Sequence, residues 1–119
     1  DAALPDGYRA IIGSVGAAGY VPFEVVPAHL SKAVGIRAIC EHVGIALSHT
    51  VALGDSNNDV EAVEAASLGI SIGDGCQALV EVADIVAPTV SEDGLAWALR
   101  AAGLTADERT GGRGLGDAR

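Results

Sequence analysis

A cluster of acid and amide side chains follows an apolar segment in the middle of the chain. The segment reads VALGDSNNDVEAV, and its polar side chains include Asp55, Asn58 and Asp59. One aspartate is enough to cap a helix, so two carboxylates with amides between them exceed what capping requires. Such a cluster needs a cation or a basic side chain to neutralise it, and hard oxygen ligands of this kind suit Mg²⁺. The pattern favours a charged functional site, with a simple helix cap as the alternative.

A lysine at the start of an earlier helix is the second candidate. Lys32 falls in the first turn of SKAVGIRAICEHVGI, where the helix dipole disfavours a cation. A carboxylate or phosphate partner would correct this mismatch, and an ordinary solvated lysine is the alternative. Because a right-handed crossover can bring this helix start to the same edge of the sheet as Asp55, we expect Lys32 and the acid cluster to share one site.

The elements that must position these residues alternate along the chain. Strands are predicted at TVALG, LGISIG and DIVAP, and helices at SKAVGIRAICEHVGI, NDVEAVEAAS, CQALVEVA and SEDGLAWALRAAG. Alternating strands and helices with short connections predict an α/β fold with a parallel sheet. Ligands bind at the carboxyl ends of such strands, which is where Asp55 is expected to lie.

The two ends of the chain are predicted to differ from this core. Helical spacing of apolar residues predicts a first helix from Asp6 to Gly19, with Tyr8, Ile11, Ile12 and Val15 on its apolar side. A strand at YVPFEVV is expected next. The C-terminal segment TADERTGGRGLGDAR combines glycine with mixed charge and has nothing to bury, which predicts a disordered tail.

Composition excludes several classes of protein. The chain has 119 residues, of which 50% are apolar and only 3% aromatic, so we expect one modest core with close helix-on-sheet packing. A net charge of −9 with no basic stripe argues against a nucleic-acid partner. The sequence shows no apolar run long enough for a membrane span and no leader segment, which predicts a cytoplasmic protein with no membrane partner. Cys40 and Cys76 are expected to be reduced thiols, because no C-x-x-C pattern contains them.

Three segments in order resemble the C-terminal half of a haloacid dehalogenase (HAD) superfamily phosphatase of the Cof type, a capped branch similar to class IIB. These segments are SKAVGIRAICEHVGI, VALGDSNNDVEAV and LGISIGDGCQALVEVADIVAPTVSEDGLAWAL. The resemblance implies a Rossmann-like core with helices on both faces of a parallel sheet, preceded by the end of an α/β cap. It implies the end of the cap at residues 1–30 and the C-terminal half of the core at 31–104, and the composition predicts the disordered tail at 105–119.

The resemblance also implies a Mg²⁺-dependent phosphatase that acts on a small phosphorylated metabolite, such as a sugar phosphate. In that scheme Asp55 binds Mg²⁺, Asn58 and Asp59 support it from nearby, and Lys32 steadies the nucleophile and the phosphoryl charge. Phosphoryl transfer depends mainly on positioning and charge neutralisation, which Lys32 and Mg²⁺ would supply. Asp74 stands where Cof-type relatives usually carry asparagine, which puts a negative charge near the phosphate; a helix cap is its alternative role.

One part of the family pattern does not occur in these 119 residues. The nucleophile motif D-x-D-x-T is absent, so we expect the missing N-terminal half of the same protein to supply it and this chain alone to be inactive. GDSNND and IGDGCQALVEVADIVA also resemble a P-type ATPase phosphorylation domain. Against that reading, no membrane span follows DIVAP, and the interval from Lys32 to Asp55 is longer than expected. A non-catalytic HAD-like relic is the third hypothesis.

Overall fold

The computed structural model describes residues 3–13 and 16–105, and these residues form a hairpin followed by an α/β core. Short 3₁₀ turns at Leu47–His49, Asn57–Asp59 and Val90–Glu92 join some of the core elements. The strands and helices are β1 (Tyr8–Ile12), β2 (Phe23–Pro27), α1 (Lys32–Val43), β3 (Val51–Gly54), α2 (Val60–Ala65), β4 (Leu68–Ser71), α3 (Gln77–Val82), β5 (Ile85–Val86) and α4 (Gly94–Ala101).

The core sheet is parallel, with the strand order β3-β4-β5. Val51 lies opposite Leu68 and Gly54 opposite Ser71, so β3 and β4 end side by side. Strand β5 extends the sheet through Ile85, which lies opposite Ile70. The carboxyl ends of β3 and β4 therefore form one edge, and the predicted α/β fold is confirmed.

Helices cover both faces of this sheet. On one face, small and branched side chains of β3, α2 and α3 form a buried cluster of Ala52, Ala62, Val63, Ala66 and Leu79, with Ile36 of α1 packed against it. On the other face, Ala98 of α4 packs with Ile70, Ile72 and Ala87. The many alanines allow the helices to approach the sheet closely, as the composition predicted.

Helix α1 begins and ends as its sequence predicts. The hydroxyl of Ser31 accepts a hydrogen bond from the Val34 N–H at 3.2 Å, which caps the start of the helix. Gly44 ends the helix with a left-handed backbone at φ 74°, a conformation that glycine adopts without a steric penalty. These two caps fix Lys32 as the first residue of α1.

The predicted first helix is wrong, because the segment forms a strand. Residues Tyr8–Ile12 pair antiparallel with Phe23–Pro27, which overlaps the later part of the predicted YVPFEVV strand and extends one residue beyond it. Apolar residues at positions 8, 11 and 12 fit either a helix or a strand over such a short segment, and pairing with β2 overrides the local pattern. Val15 of the predicted helix and residues 106–119 of the predicted tail lie outside the described residues.

The described residues also bear on the cysteines and on membrane insertion. Cys40 and Cys76 are both half-buried free thiols, as predicted. Among residues 3–13 and 16–105, no helix has the length and apolar character needed to cross a membrane.

Candidate active site

The polar loop after β3 lies at the carboxyl edge of the core sheet. Asp55 directly follows Gly54, the last residue of β3, and residues Asn57–Asp59 form the 3₁₀ turn that leads into α2. The loop after β4 is adjacent, because the Cys76 N–H donates to the Asp55 carbonyl at 3.2 Å. The fold thus brings the loops that carry Asp55 and Asp74 to one edge.

Lys32 and Asp59 form the salt bridge at the centre of this site. The Lys32 ammonium donates to Asp59 Oδ1. The other carboxylate oxygen, Oδ2, accepts from the backbone N–H groups of Asp55 at 3.1 Å and Ser56 at 3.3 Å. The start of α1 and the acid cluster therefore meet, as the sequence predicted.

Asp59 is held in its ionised form despite burial. The residue is only 8% exposed, and this burial disfavours the charged carboxylate. The hydrogen bond from Lys32 and the backbone hydrogen bonds from Asp55 and Ser56 outweigh that effect and lower the pKa of Asp59 below its ordinary value. Asp59 is therefore a fixed anion whose hydrogen bonds orient the lysine and the loop.

Asp55 differs from Asp59 because its carboxylate is exposed and has no bonding partner within the described residues. Only its backbone N–H and carbonyl take part in hydrogen bonds, and within the described residues its side chain has neither a salt bridge nor a hydrogen bond. The Asn58 side-chain oxygen accepts from the Ser56 hydroxyl at 2.6 Å and so helps to shape the turn. Of the two aspartates in the cluster, Asp55 is the one available to a ligand.

The described residues could supply only some of the ligands of a magnesium site. Over residues 3–13 and 16–105, no group of three His, Cys, Asp or Glu side chains is placed to hold a metal. Mg²⁺ commonly takes one or two protein carboxylates and completes its shell with water and phosphate oxygens. Asp55 matches one such ligand, whereas Asp59 is occupied by Lys32 and the backbone.

Asp74 lies exposed in the turn between β4 and α3. The N-cap of α3 is Cys76, and that helix has no side-chain capping hydrogen bond. The alternative role of Asp74 as the cap of α3 is therefore wrong. Its carboxylate makes no hydrogen bond or salt bridge within the part of the chain that the structure describes.

Gly54, the last residue of β3, lies against the side chain of Asp59. Its lack of a side chain is what the site requires. A Cβ atom placed on Gly54 would collide with Cβ of Asp59, and it would lie 2.9 Å from that residue's Cγ. The small residue at the end of β3 therefore leaves the space that the Asp59 side chain occupies.

A cleft of about 560 Å³ separates the hairpin from the core and opens beside Lys32. Arg9 of β1 crosses to the core, where Nη1 donates to Glu61 of α2 at 2.9 Å and Nη2 donates to the Leu30 carbonyl at 2.8 Å. This contact could not be predicted from a helix at position 9, because it depends on the β1 strand.

Comparisons with known proteins agree with this geometry. Residues 4–99 match the family of haloacid dehalogenase-like hydrolases. A Bacillus subtilis (strain 168) protein, 5-amino-6-(5-phospho-D-ribitylamino)uracil phosphatase, is 33% identical over 84 residues, which are 71% of this chain and 31% of that protein. A chloroplast endoribonuclease of Arabidopsis thaliana is 34% identical over 76 residues, or 64% of this chain, but these form only 13% of that protein.

Solved structures show the same architecture. The sugar phosphatase BT4131, described as HAD subclass IIB, superposes with a TM-score of 0.68 at 29% identity. The superposition covers 79% of this chain and 35% of that one. The chain therefore spans about a third of the length of the phosphatases to which it is similar.

Proposed function

Because this chain belongs to the haloacid dehalogenase-like hydrolase family, we propose that it is the C-terminal part of a Cof-type phosphatase that hydrolyses small phosphorylated metabolites. The observation that supports this most directly is the salt bridge between Lys32 and Asp59 beside the exposed carboxylate of Asp55. A phosphatase needs a fixed cation for the phosphoryl oxygens and a carboxylate for a metal at one position, and this edge offers both.

Lys32 is the proposed cation for the phosphoryl group. Its side chain is 52% exposed, so part of the ammonium remains accessible while Asp59 holds it. The role of Asp59 is to orient Lys32, and its backbone hydrogen bonds fix the loop that carries Asp55. Preorganised charge of this kind stabilises the charge that develops in a transition state.

Asp55 is the proposed Mg²⁺ ligand of this chain. Its exposed carboxylate, at the carboxyl end of β3, is free to bind a cation. A bound Mg²⁺ would supply further positive charge beside the phosphoryl oxygens. Asn58 supports the turn, and Asp74 adds a negative charge on the neighbouring loop, which we propose weakens the binding of phosphate.

The nucleophile is proposed to lie outside these 119 residues. The motif D-x-D-x-T is absent from the sequence, and the chain covers 31% of the phosphatase from Bacillus subtilis. We propose that residues 1–30 are the end of the cap and that residues 31–104 are the C-terminal half of the core. The similarity to sugar phosphatase BT4131 supports this over a P-type ATPase fragment, and the intact Lys32–Asp59 pair argues against a non-catalytic relic.

Phosphate release tests this proposal. The natural full-length protein is expected to hydrolyse p-nitrophenyl phosphate only when Mg²⁺ is present, and the 119-residue chain alone is expected to release none. Failure of the full-length protein to hydrolyse any phosphate monoester with Mg²⁺ would contradict it.

A further inference from the structure

Most ionised side chains around the cleft are already paired. The Arg9 guanidinium contacts Glu61 at 2.9 Å and the Leu30 carbonyl at 2.8 Å. Lys32 is paired with Asp59. Each of these two pairs joins one positive and one negative side chain, which leaves one other ionised residue among those that line the cleft.

That remaining group is Glu24 of β2. In the hairpin register Glu24 lies opposite Ile11, and both line the cleft. Glu24 is exposed, and it forms no salt bridge or side-chain hydrogen bond with any residue that the structure describes. Within the described residues, the hairpin wall of the cleft therefore carries one negative charge that has no partner, and Lys32 lies in the lining of the same cleft.

We propose that Glu24 is a specificity-determining residue. It selects phosphate monoesters whose far end carries hydroxyl groups, and it disfavours those whose far end carries a second anion. This inference rests on the proposed phosphatase function, with the phosphate bound beside Lys32. The cleft volume of about 560 Å³ lies within the range of small-molecule sites, and it leaves room for a five- or six-carbon substrate between the two walls.

The chemistry of a carboxylate gives this selectivity in two ways. It accepts hydrogen bonds from hydroxyl groups, and charge-assisted hydrogen bonds of this kind are stronger than neutral ones. It also repels a carboxylate or phosphate that approaches the same wall, because like charges brought together in a partly desolvated site are strongly disfavoured. The positive charge of Arg9 offsets little of this repulsion, because its guanidinium is paired with the Glu61 carboxylate.

Two substrates of the same length isolate the effect. Sorbitol 6-phosphate and 6-phosphogluconate are both open six-carbon phosphate monoesters, and they differ at C1, which is an alcohol in the first and a carboxylate in the second. The natural full-length protein is expected to favour sorbitol 6-phosphate in kcat/KM. Glu24→Gln should reduce that preference by about tenfold, mainly by lowering KM for 6-phosphogluconate, and Glu24→Lys should reverse it.

Control variants separate this inference from the function on which it rests. Glu64→Gln changes an exposed carboxylate of α2 that does not line the cleft, so it should leave the preference unchanged. If both Glu24 variants keep the wild-type preference while Lys32→Ala still lowers turnover about a hundredfold or more, the role of Glu24 is wrong and the phosphatase proposal stands. If the wild type hydrolyses no phosphate monoester with Mg²⁺, both proposals are wrong.

Discussion

Lys32 and Asp59 are 27 residues apart in the sequence, yet their side chains form a salt bridge at the carboxyl edge of the core sheet. The lysine begins α1, and the aspartate ends the 3₁₀ turn after β3. Asp59 also accepts two backbone hydrogen bonds from the loop of Asp55. This single carboxylate therefore connects the proposed phosphate-binding cation to the proposed metal ligand.

The first prediction concerns the pH dependence of folding. The pKa of Asp59 is lowered in the folded chain, so its contribution to stability is present above the ordinary pKa of 3.8 and is lost as the pH falls through the lower folded pKa. Asp59→Asn should reduce the unfolding free energy by about 1–3 kcal/mol at pH 7, and the difference from wild type should shrink at pH 3. Urea unfolding at both pH values measures this.

The control for that variant is Asp74→Asn. Asp74 is exposed and has no partner in the described residues, so its substitution should change stability by less than about 0.5 kcal/mol at pH 7. Equal losses for the two variants would show that the Lys32–Asp59 pair has no special structural role.

The second prediction concerns two glycines that differ in their surroundings. Gly54→Ala places a methyl group against the Asp59 side chain, so it should destabilise the chain by about 1–3 kcal/mol and lower phosphatase activity in the full-length protein. Gly35→Ala is the matched control, because its Cβ in α1 would meet nothing within 4 Å. It should stabilise the chain by about 0.5–1 kcal/mol, since alanine favours a helix over glycine. Thermal unfolding of both variants tests this, because Gly54→Ala should lower the Tm and Gly35→Ala should raise it.

The third prediction concerns the contact between the hairpin and α2. Glu61 of α2 pairs with Arg9 of β1, with side-chain exposures of 49% and 35%. A double-mutant cycle with Arg9→Ala and Glu61→Ala should give a coupling energy of about 0.2–1 kcal/mol that decreases at 1 M salt. A coupling energy of zero at low salt would mean that the pair does not hold the hairpin in solution.

The fourth prediction concerns metal binding by the 119-residue chain. Asp55 is one carboxylate, and Mg²⁺ gives up its water reluctantly, so calorimetric titration should show a dissociation constant of about 1 mM or weaker. Asp55→Asn should abolish that binding, whereas Glu64→Gln should leave it unchanged. Tight binding that survives Asp55→Asn would place the metal site elsewhere.

The parts of the fold that the sequence predicted are those with local signals. Helix α1 has a serine cap and a closing glycine, so neighbouring residues determine both ends. The apolar run before Asp55 does not alternate with polar residues, so both of its faces must be covered by helices. This pattern predicts a buried parallel strand. Lys32 and Asp59 could be predicted to meet because a parallel α/β fold constrains where strands and helices end.

The parts that the sequence did not predict depend on contacts between distant residues. The pairing of Ile12 with Phe23 makes β1 a strand, and no local pattern indicates that partner. Arg9 and Glu61 are separated by 52 residues, so their salt bridge follows only from the placement of the hairpin against the core. The steric need for Gly54 likewise depends on where the Asp59 side chain comes to lie.

The most direct test of the proposed function is Mg²⁺-dependent hydrolysis of p-nitrophenyl phosphate by the natural full-length protein and its variants. Lys32→Ala and Asp55→Ala should each lower the rate by about a hundredfold or more, as expected when one preorganised charge is removed from a transition state. Glu64→Gln, an exposed carboxylate on α2, should retain wild-type activity. A full-length enzyme that is indifferent to both Lys32→Ala and Asp55→Ala would contradict the proposed site.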